Sequence, residues 1–343
     1  RLFITAGRQP IRWGTGRFWN PTDFLNRQFR DPLAVFDERL GVGLVKFHFP
    51  IESLGWNLYA IAEFEGASSL GDVGAAVRAE MLYGQTEVSL TAVSRRNEPL
   101  QLGADLSAGV GPFEIRAETA LLYDDPGPFY RFAEDSESPL ILLDFQEVSN
   151  RLGLGLPDAF RAVRFDHGDW VLQTTLGAEL QLAYGDRDSA YLGVEYFYFS
   201  EGQIDPRIYP ALVLLEQYEP LYAARNYVGA YLALPNPGPW DHTNFTASTL
   251  ANLSDQSFLS RLDVDYDFLG FATVNAYFSF NWGRQGEFRF QYELQGISGG
   301  GSAPSVDLSD FSDTQLALSS VLTDGVVVNA PRFNAGLGLR MNW

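Results

Sequence analysis

Apolar and polar residues alternate one by one along many stretches of the chain. From Phe113 to Tyr123, apolar residues fill most odd-numbered positions, while Glu114, Arg116 and Glu118 fill even-numbered ones. Residues 172–184 repeat this pattern. Because successive side chains of a β-strand point to opposite faces, a period of two predicts strands with one apolar and one polar face.

These alternating segments are long enough to cross a bilayer, since a membrane strand needs about 9–11 residues. We predict strands at residues 1–13, 41–51, 55–65, 73–83, 85–95, 99–110, 112–124, 169–184, 187–200, 227–235, 242–252, 257–268, 271–283 and 332–343. The predicted fold is all-β: a transmembrane antiparallel up-and-down β-barrel of about 14 strands, forming a single domain over residues 1–343. Sixteen strands are the alternative, because residues 288–294 also alternate.

A soluble β-sandwich also alternates and is the competing interpretation. Three features favour the membrane barrel. The apolar faces end in Tyr, Trp or Phe, as aromatic girdles at two membrane interfaces would; the polar faces carry several charges per strand; and long helical patterns are missing. No apolar run approaches the roughly 18 residues that a spanning helix needs.

The predicted connections separate by length into two groups. Those on one side are brief: residues 52–54, 84, 111, 185–187, 235–241 and 269–270. The other side receives residues 14–40, 66–72, 96–98, 125–169, 201–226, 253–256 and 284–331, which include every long loop. Short periplasmic turns and long extracellular loops are typical of outer-membrane barrels.

Composition narrows the function further. The 343 residues include 43 acidic and 24 basic side chains, for a net charge of −19, so the lysine and arginine clusters that bind nucleic acid are absent. There is no cysteine, hence no disulfide framework or thiolate metal site. The lack of a leader before Arg1 is what we expect of an exported chain whose signal peptide has been removed.

The final segment, RFNAGLGLRMNW, places Phe333, Leu337, Leu339 and Trp343 on one face. It resembles the last strand of bacterial outer-membrane proteins, which alternates and closes on an aromatic residue. That resemblance implies a Gram-negative outer-membrane location among lipid and lipopolysaccharide, and implies that Trp343 is the signal read by the barrel assembly machinery. An interface anchor is the alternative role for Trp343. Residues 7–26 resemble, more faintly, the first strand and loop of porin-like and exporter-like barrels.

The first long connection, residues 14–40, is too rich in Trp, Phe and Pro for a loop in water. We expect it to fold inward as a constriction; a cap on the outer rim is the alternative. The arginines that would line the passage are Arg8, Arg12, Arg17, Arg27, Arg30 and Arg39.

Arginines facing carboxylates across a lumen would create a transverse field of the kind that channel filters use. The main candidate wall residues are Glu63, Glu80, Glu114, Arg116, Glu118, Glu179, Arg261, Asp263 and Asp265. Further acids are Glu65, Asp105, Glu195 and Asp267. In the alternative interpretation Arg78, Arg116, Arg261 and Arg340 simply pair with these acids.

Catalytic and metal chemistry has little support in the sequence. Only His48, His167 and His242 could serve a Ser-His-acid site, and His242 has no recognisable nucleophile motif near it. The acids at 307, 310 and 313 lack the rest of a calcium-loop pattern. We therefore expect no enzyme, no metal and no cofactor.

Barrels of eight strands are filled by side chains and barrels of sixteen are open, so about fourteen strands leave a narrowed lumen. The sequence predicts a porin or channel for passive or selective passage of small polar solutes. The alternative is a non-conducting barrel that anchors a surface complex. A homo-oligomer fits either function.

Overall fold

The computed structural model of the chain describes residues 1–28, 30–33, 39–132, 162–165, 168–184, 188–268, 270–295, 325–329 and 331–341. Its strands are β1 (Phe3–Gln9), β2 (Val42–Ile51), β3 (Trp56–Glu63), β4 (Gly74–Tyr83), β5 (Thr86–Ser94), β6 (Leu100–Val110), β7 (Phe113–Tyr123), β8 (Tyr130–Phe132), β9 (Ala162–Arg164), β10 (Trp170–Tyr184), β11 (Asp188–Phe199), β12 (Asn226–Pro235), β13 (Thr243–Asn252), β14 (Ser257–Phe268), β15 (Ala272–Gly283), β16 (Gln291–Gln295), β17 (Gly325–Asn329) and β18 (Phe333–Met341).

Fourteen of these strands form one sheet in the order β1 to β7, β10 to β15 and β18. Every neighbouring pair is antiparallel, so the sheet is an up-and-down meander. The predicted all-β barrel fold and its count of fourteen strands are confirmed. The sixteen-strand alternative is wrong, because β16 and β17 pair only with each other in a separate ladder.

Two predicted boundaries need correction. The first strand was predicted to reach residue 13 but ends at Gln9, because Pro10 has no N–H to donate to the ladder. Residues 125–169 were predicted to be one long connection without strands, yet Ala162–Arg164 pairs with Tyr130–Phe132 as a small ladder. His167, the acids at 307, 310 and 313, and Trp343 lie outside the described residues.

The sheet has an apolar outer face and a polar inner face. On the outer face Leu176 and Leu262 are 52% and 47% exposed, whereas the inward Asp105 and Glu118 are 3% and 1% exposed. A protein in water would bury such leucines and expose such acids. The outer face therefore meets lipid, and the protein is an integral outer-membrane β-barrel.

Aromatic side chains pair near the ends of the outer face. The ring centroids of Tyr123 and Trp170 lie 4.8 Å apart, and those of Phe258 and Trp282 lie 4.3 Å apart. Trp56 and Tyr83 form a third pair, toward the short-turn end of the sheet. Aromatic belts of this kind mark the two membrane–water interfaces.

Because consecutive strands are antiparallel, their connections alternate between the two ends of the sheet, as predicted. One long connection, residues 200–225, carries helix α1 (Tyr209–Leu214). None of the helices in the described part of the chain is long and apolar enough to span a membrane.

Candidate functional site

The first connection, residues 10–41, is called the first loop below, and it packs against the inner face of the sheet. Trp13, Phe24 and Leu25 share a buried cluster with inward side chains of β2 to β5 and β7. Phe18 and Trp19 enter a second cluster with aromatic residues of β11 and β12. Trp19 is completely buried, and its indole Nε1 donates to the Leu221 carbonyl at 2.9 Å. The apolar composition of this loop is thus accounted for by burial inside the barrel.

The Glu118 carboxylate on β7 binds the backbone of this loop. It accepts hydrogen bonds from the N–H groups of Thr15 and Gly16, and from the Thr22 hydroxyl at 2.9 Å. A Cβ at Gly14 would lie 2.6 Å from a Glu118 oxygen, so the close approach of chain and carboxylate requires glycine there. Glu118 was predicted to face the passage, but the structure places it beneath the loop.

Glu195 on β11 holds the next residues in the same way. Its carboxylate accepts hydrogen bonds from the N–H groups of Arg17, Phe18 and Trp19 at 2.6, 2.9 and 2.8 Å. Consecutive backbone N–H groups form a concave site for an anion, and here a wall side chain supplies that anion. Charge-assisted bonds of this type are stronger than neutral ones.

Two glycines on the inner face make room for loop aromatics. A Cβ at Gly229 would lie 2.4 Å from the Phe18 ring, and a Cβ at Gly103 would lie 2.8 Å from the Phe24 ring. Any larger residue would displace the loop from the wall.

Asp23 closes the loop on itself. It accepts the Trp13 N–H at 3.0 Å and pairs with Arg39 at 2.9 Å, so it joins the start of the loop to its end. Burial raises the pKa of Asp23, while the Trp13 N–H and the Arg39 guanidinium oppose that rise.

The structure distributes the predicted arginines among different partners. Arg8 pairs with Glu65 at 3.0 Å, and Arg27 pairs with Glu98 at 3.3 Å. Arg12 and Arg30 donate to the carbonyls of Gly16 and Arg17 at 3.4 and 3.0 Å, and the Arg17 guanidinium lies 4.5 Å from the Tyr231 ring centroid. Of the six, Arg12 and Arg17 are exposed residues of the first loop that form no ion pair within the described part of the chain.

Most predicted wall acids have partners on the wall itself. Their partners on the wall are Arg95 for Glu63 at 2.6 Å, Arg78 for Glu80 at 3.0 Å, Arg116 for Glu114 at 2.9 Å and for Glu179 at 3.8 Å, Arg261 for Asp263 at 2.7 Å, and Asn275 for Asp265 at 2.8 Å. Glu179 also accepts a hydrogen bond from the Tyr231 hydroxyl. Local pairing of Arg78, Arg116 and Arg261, the alternative considered from the sequence, is therefore present.

Sequence reasoning missed Arg95, which donates to Glu63 at 2.6 Å and to the Phe24 carbonyl at 2.7 Å. Alternation within the predicted strand at residues 85–95 already places residue 95 on the inner face, with Thr91 and Val93.

It also missed a carboxyl pair near the outer ends of β12 to β15. Glu287 accepts from the Tyr227 hydroxyl at 2.6 Å and Asn252 at 2.8 Å, and Asp255 accepts from the Glu287 N–H at 2.8 Å and the Tyr209 hydroxyl at 3.2 Å. Nothing in the spacing of these residues signals their contact.

Burial raises the pKa of Glu287 to about 7, although hydrogen bonds from Tyr227 and Leu221 oppose the rise. Burial also raises the pKa of Asp255. Within the described residues, no arginine, lysine or histidine forms an ion pair with Glu287. The cluster ties together the connections at 200–225, 253–256 and 284–290.

Comparison with known proteins gives structural neighbours only. No family model matches the chain, and no curated protein matches it. The outer membrane protein OpdK of Pseudomonas aeruginosa aligns with 71% of this chain and 65% of its own length, at 12% identity and a TM-score of 0.38. OccK9 (OpdG) of the same organism aligns with 72% and 63%, at 10% identity and a TM-score of 0.40.

OmpT, an outer membrane protein of Vibrio cholerae, aligns with 88% of this chain and 89% of its own length, at 10% identity and a TM-score of 0.38. The chain thus spans about two thirds of the Pseudomonas proteins and most of OmpT. At these scores the likeness identifies neither a family nor a solute. The chain's own architecture is a fourteen-stranded meander with a lipid-facing outer surface and a charged inner face, and this is the fold of a β-barrel protein of the bacterial outer membrane.

Proposed function

We propose that the protein is a passive channel for small polar solutes, in which the first loop sets the bore. The observation that carries this proposal is the attachment of the loop backbone to Glu118 and Glu195, on two separated strands of the inner wall. A loop fixed at such points narrows a lumen at one level without depending on flexible side chains.

The charges of the inner face support passage of polar solutes. Arg12 and Arg17 are exposed on the loop, and the wall near Arg17 carries Glu179 and Arg116. Opposed charges along a pore orient polar solutes and set ion preference. The predicted arrangement of loop arginines beside wall carboxylates is part of this proposal.

The alternative function is a closed barrel that anchors a partner through its long outer connections. In both cases we propose that the barrel lies among lipopolysaccharide and other outer-membrane lipid and is inserted by the barrel assembly machinery. Both functions are also compatible with a homo-oligomer. The test below separates the two functions.

We also propose that the protein is not an enzyme. The His242 carbonyl accepts from the Asp267 N–H at 2.8 Å, but no side chain in the described part of the chain hydrogen bonds to the His242 imidazole. Hydrolase activity that disappears in His242→Ala would overturn this part of the proposal.

The direct test is a measurement of ionic current through the protein. Purified, refolded protein inserted into planar bilayers should give discrete current steps that are absent from mock preparations. If neither the full chain nor a variant without the first loop ever conducts, the channel proposal fails. Stoichiometric co-purification of a surface partner would then support the anchor.

A further inference from the structure

Within the described part of the chain, the first loop leaves one side of the inner face uncovered. Its buried residues share clusters with strands from β2 to β13, as the residues around Trp13 and Trp19 show. Beside it, a cavity of about 590 Å³ is bounded by the loop, the outer connections and the inner faces of β14, β15 and β18. Cavities of this size hold small organic ligands.

The cavity has an apolar side and a polar side. Leu33 of the first loop, Leu259 of β14 and Phe290 after β15 supply apolar surface. Tyr277 and Asn334 lie on the polar side. Within the described part of the chain, neither the Tyr277 hydroxyl nor the Asn334 side-chain amide has a hydrogen-bond partner, so both are available to a bound solute.

Charge on the polar side is largely compensated. Arg261 donates to both carboxylate oxygens of Asp263, at 2.7 to 3.0 Å, and its guanidinium covers the Tyr277 ring at 3.9 Å. Glu287 is enclosed by its own hydrogen bonds. The exposed Asp31 has no cation partner among the described residues; its side chain accepts only the Leu33 N–H at 2.9 Å.

A solute that fits this lining is neutral. Such a solute has a flat apolar part that packs on the apolar side of the cavity. It also has hydroxyl groups that hydrogen bond to Tyr277 and Asn334. A carboxylate on the solute would meet Asp31, and none of the described residues that line the cavity is an unpaired cation that could receive it.

We propose that this cavity is a binding site on the conduction path for neutral, polyhydroxylated solutes that carry an aromatic ring, of the aryl glycoside class. The inference rests on the proposed channel function and adds its solute class. In this proposal the solute passes between the first loop and the inner faces of β14, β15 and β18.

The test measures block of single-channel current by three probes at equal concentration. Phenyl β-D-glucoside should interrupt the current in a concentration-dependent way. D-glucose, which lacks the ring, and phenyl β-D-glucuronide, which has the same shape but is anionic, should each bind about tenfold more weakly. Asp31→Asn should narrow the difference between glucoside and glucuronide.

Two variants locate the site. Tyr277→Phe removes the hydroxyl and Leu33→Ser removes apolar surface, and each should weaken block by the glucoside several-fold while the open-channel current persists. Tyr266→Phe is the matched control, because Tyr266 lies on the outer face of β14 and should leave the block unchanged.

The outcomes are distinct from those of the channel proposal. A conducting protein that the glucoside blocks no better than glucose or the glucuronide overturns the inference and leaves the channel standing. Block that Tyr277→Phe and Leu33→Ser leave unchanged also overturns it. Absence of current from every form of the protein overturns the channel itself.

Discussion

Trp19 of the first loop lies flat against Phe197 of β11, with ring centroids 5.6 Å apart and planes within 9° of parallel. Both rings are completely buried. A tryptophan in the connection between β1 and β2 therefore packs on the ninth strand of the sheet. This contact, together with the N–H groups that Glu195 accepts, fixes the path of the loop across the inner wall.

Glu195→Gln should loosen the loop. The carboxylate uses both oxygens to accept three N–H groups, and an amide offers one oxygen and places an NH₂ against a donor. We expect a loss of about 1–3 kcal/mol in the free energy of unfolding and noisier single-channel current with a higher mean. Glu87→Gln, on the inner face of β5, is the control. A Glu195→Gln variant as quiet and as stable as the parent would contradict this attachment.

Gly229→Ala should push Phe18 off the wall, since its Cβ would lie 2.4 Å from that ring. Overpacking of this kind costs about 1–3 kcal/mol, measured as a lower temperature for the loss of heat-modifiable migration on gels. Gly109→Ala is the matched control. The atom nearest to its Cβ would be a Gln85 side-chain oxygen, at the tolerable distance of 3.4 Å. Equal effects of the two substitutions would argue against a tight loop–wall contact.

Arg78 and Asp105 form a buried bidentate pair at 2.8 and 3.1 Å. Asp105→Leu alone leaves the buried Arg78 with Glu80 as its remaining ion-pair partner, at 3.0 Å, so we expect a cost of about 3 kcal/mol. Arg78→Leu with Asp105→Leu should recover part of that loss, because the buried arginine leaves with its partner while the partly exposed Glu80 keeps the Tyr59 hydroxyl as a donor. Urea unfolding of the single and double variants in lipid vesicles measures the difference. If the loss of stability in the double variant equals the sum of the losses in Arg78→Leu and Asp105→Leu, the two residues are not coupled.

The outer connections should loosen as pH rises. Burial raises the pKa of Glu287 from 4.5 in the unfolded chain to about 7, so the folded state favours its protonated form. Its contribution to packing is fully present below pH 4.5 and is lost as pH rises through 7. The raised pKa of Asp255 acts in the same direction.

Limited proteolysis within residues 200–225 reports this loosening. Cleavage should be about tenfold faster at pH 8 than at pH 5.5. Glu287→Gln should remove most of that difference. Glu201→Gln serves as the control, because Glu201 lies in the same connection but outside the hydrogen-bonded cluster around Glu287. A Glu287→Gln variant with the parental pH dependence would refute the assignment to Glu287.

The sequence and the structure agree where a local rule applies. The strands β7 and β10 can be recognised from their alternation of apolar and polar residues, which involves only residues adjacent in sequence. The burial of residues 14–40 can be predicted from their aromatic composition alone. Contacts between residues far apart in sequence are different, because no local rule predicts them. Glu118 faces inward by alternation, but its choice of loop N–H groups over an arginine depends on the path of a chain about a hundred residues away in sequence. The contact of Glu287 with Asp255 depends in the same way on two separate connections.

In the proposed channel, the first loop narrows a conducting lumen. Gln9 and Val42 face each other at the end of the β1–β2 ladder, so a two-residue Asn-Gly turn can replace residues 10–41 and close the hairpin. Single-channel conductance of this variant in planar bilayers is the most direct measurement. We predict a stable current at least about twofold larger than that of the full chain. A folded variant whose conductance equals that of the full chain, or is zero, would contradict the proposed role of the first loop.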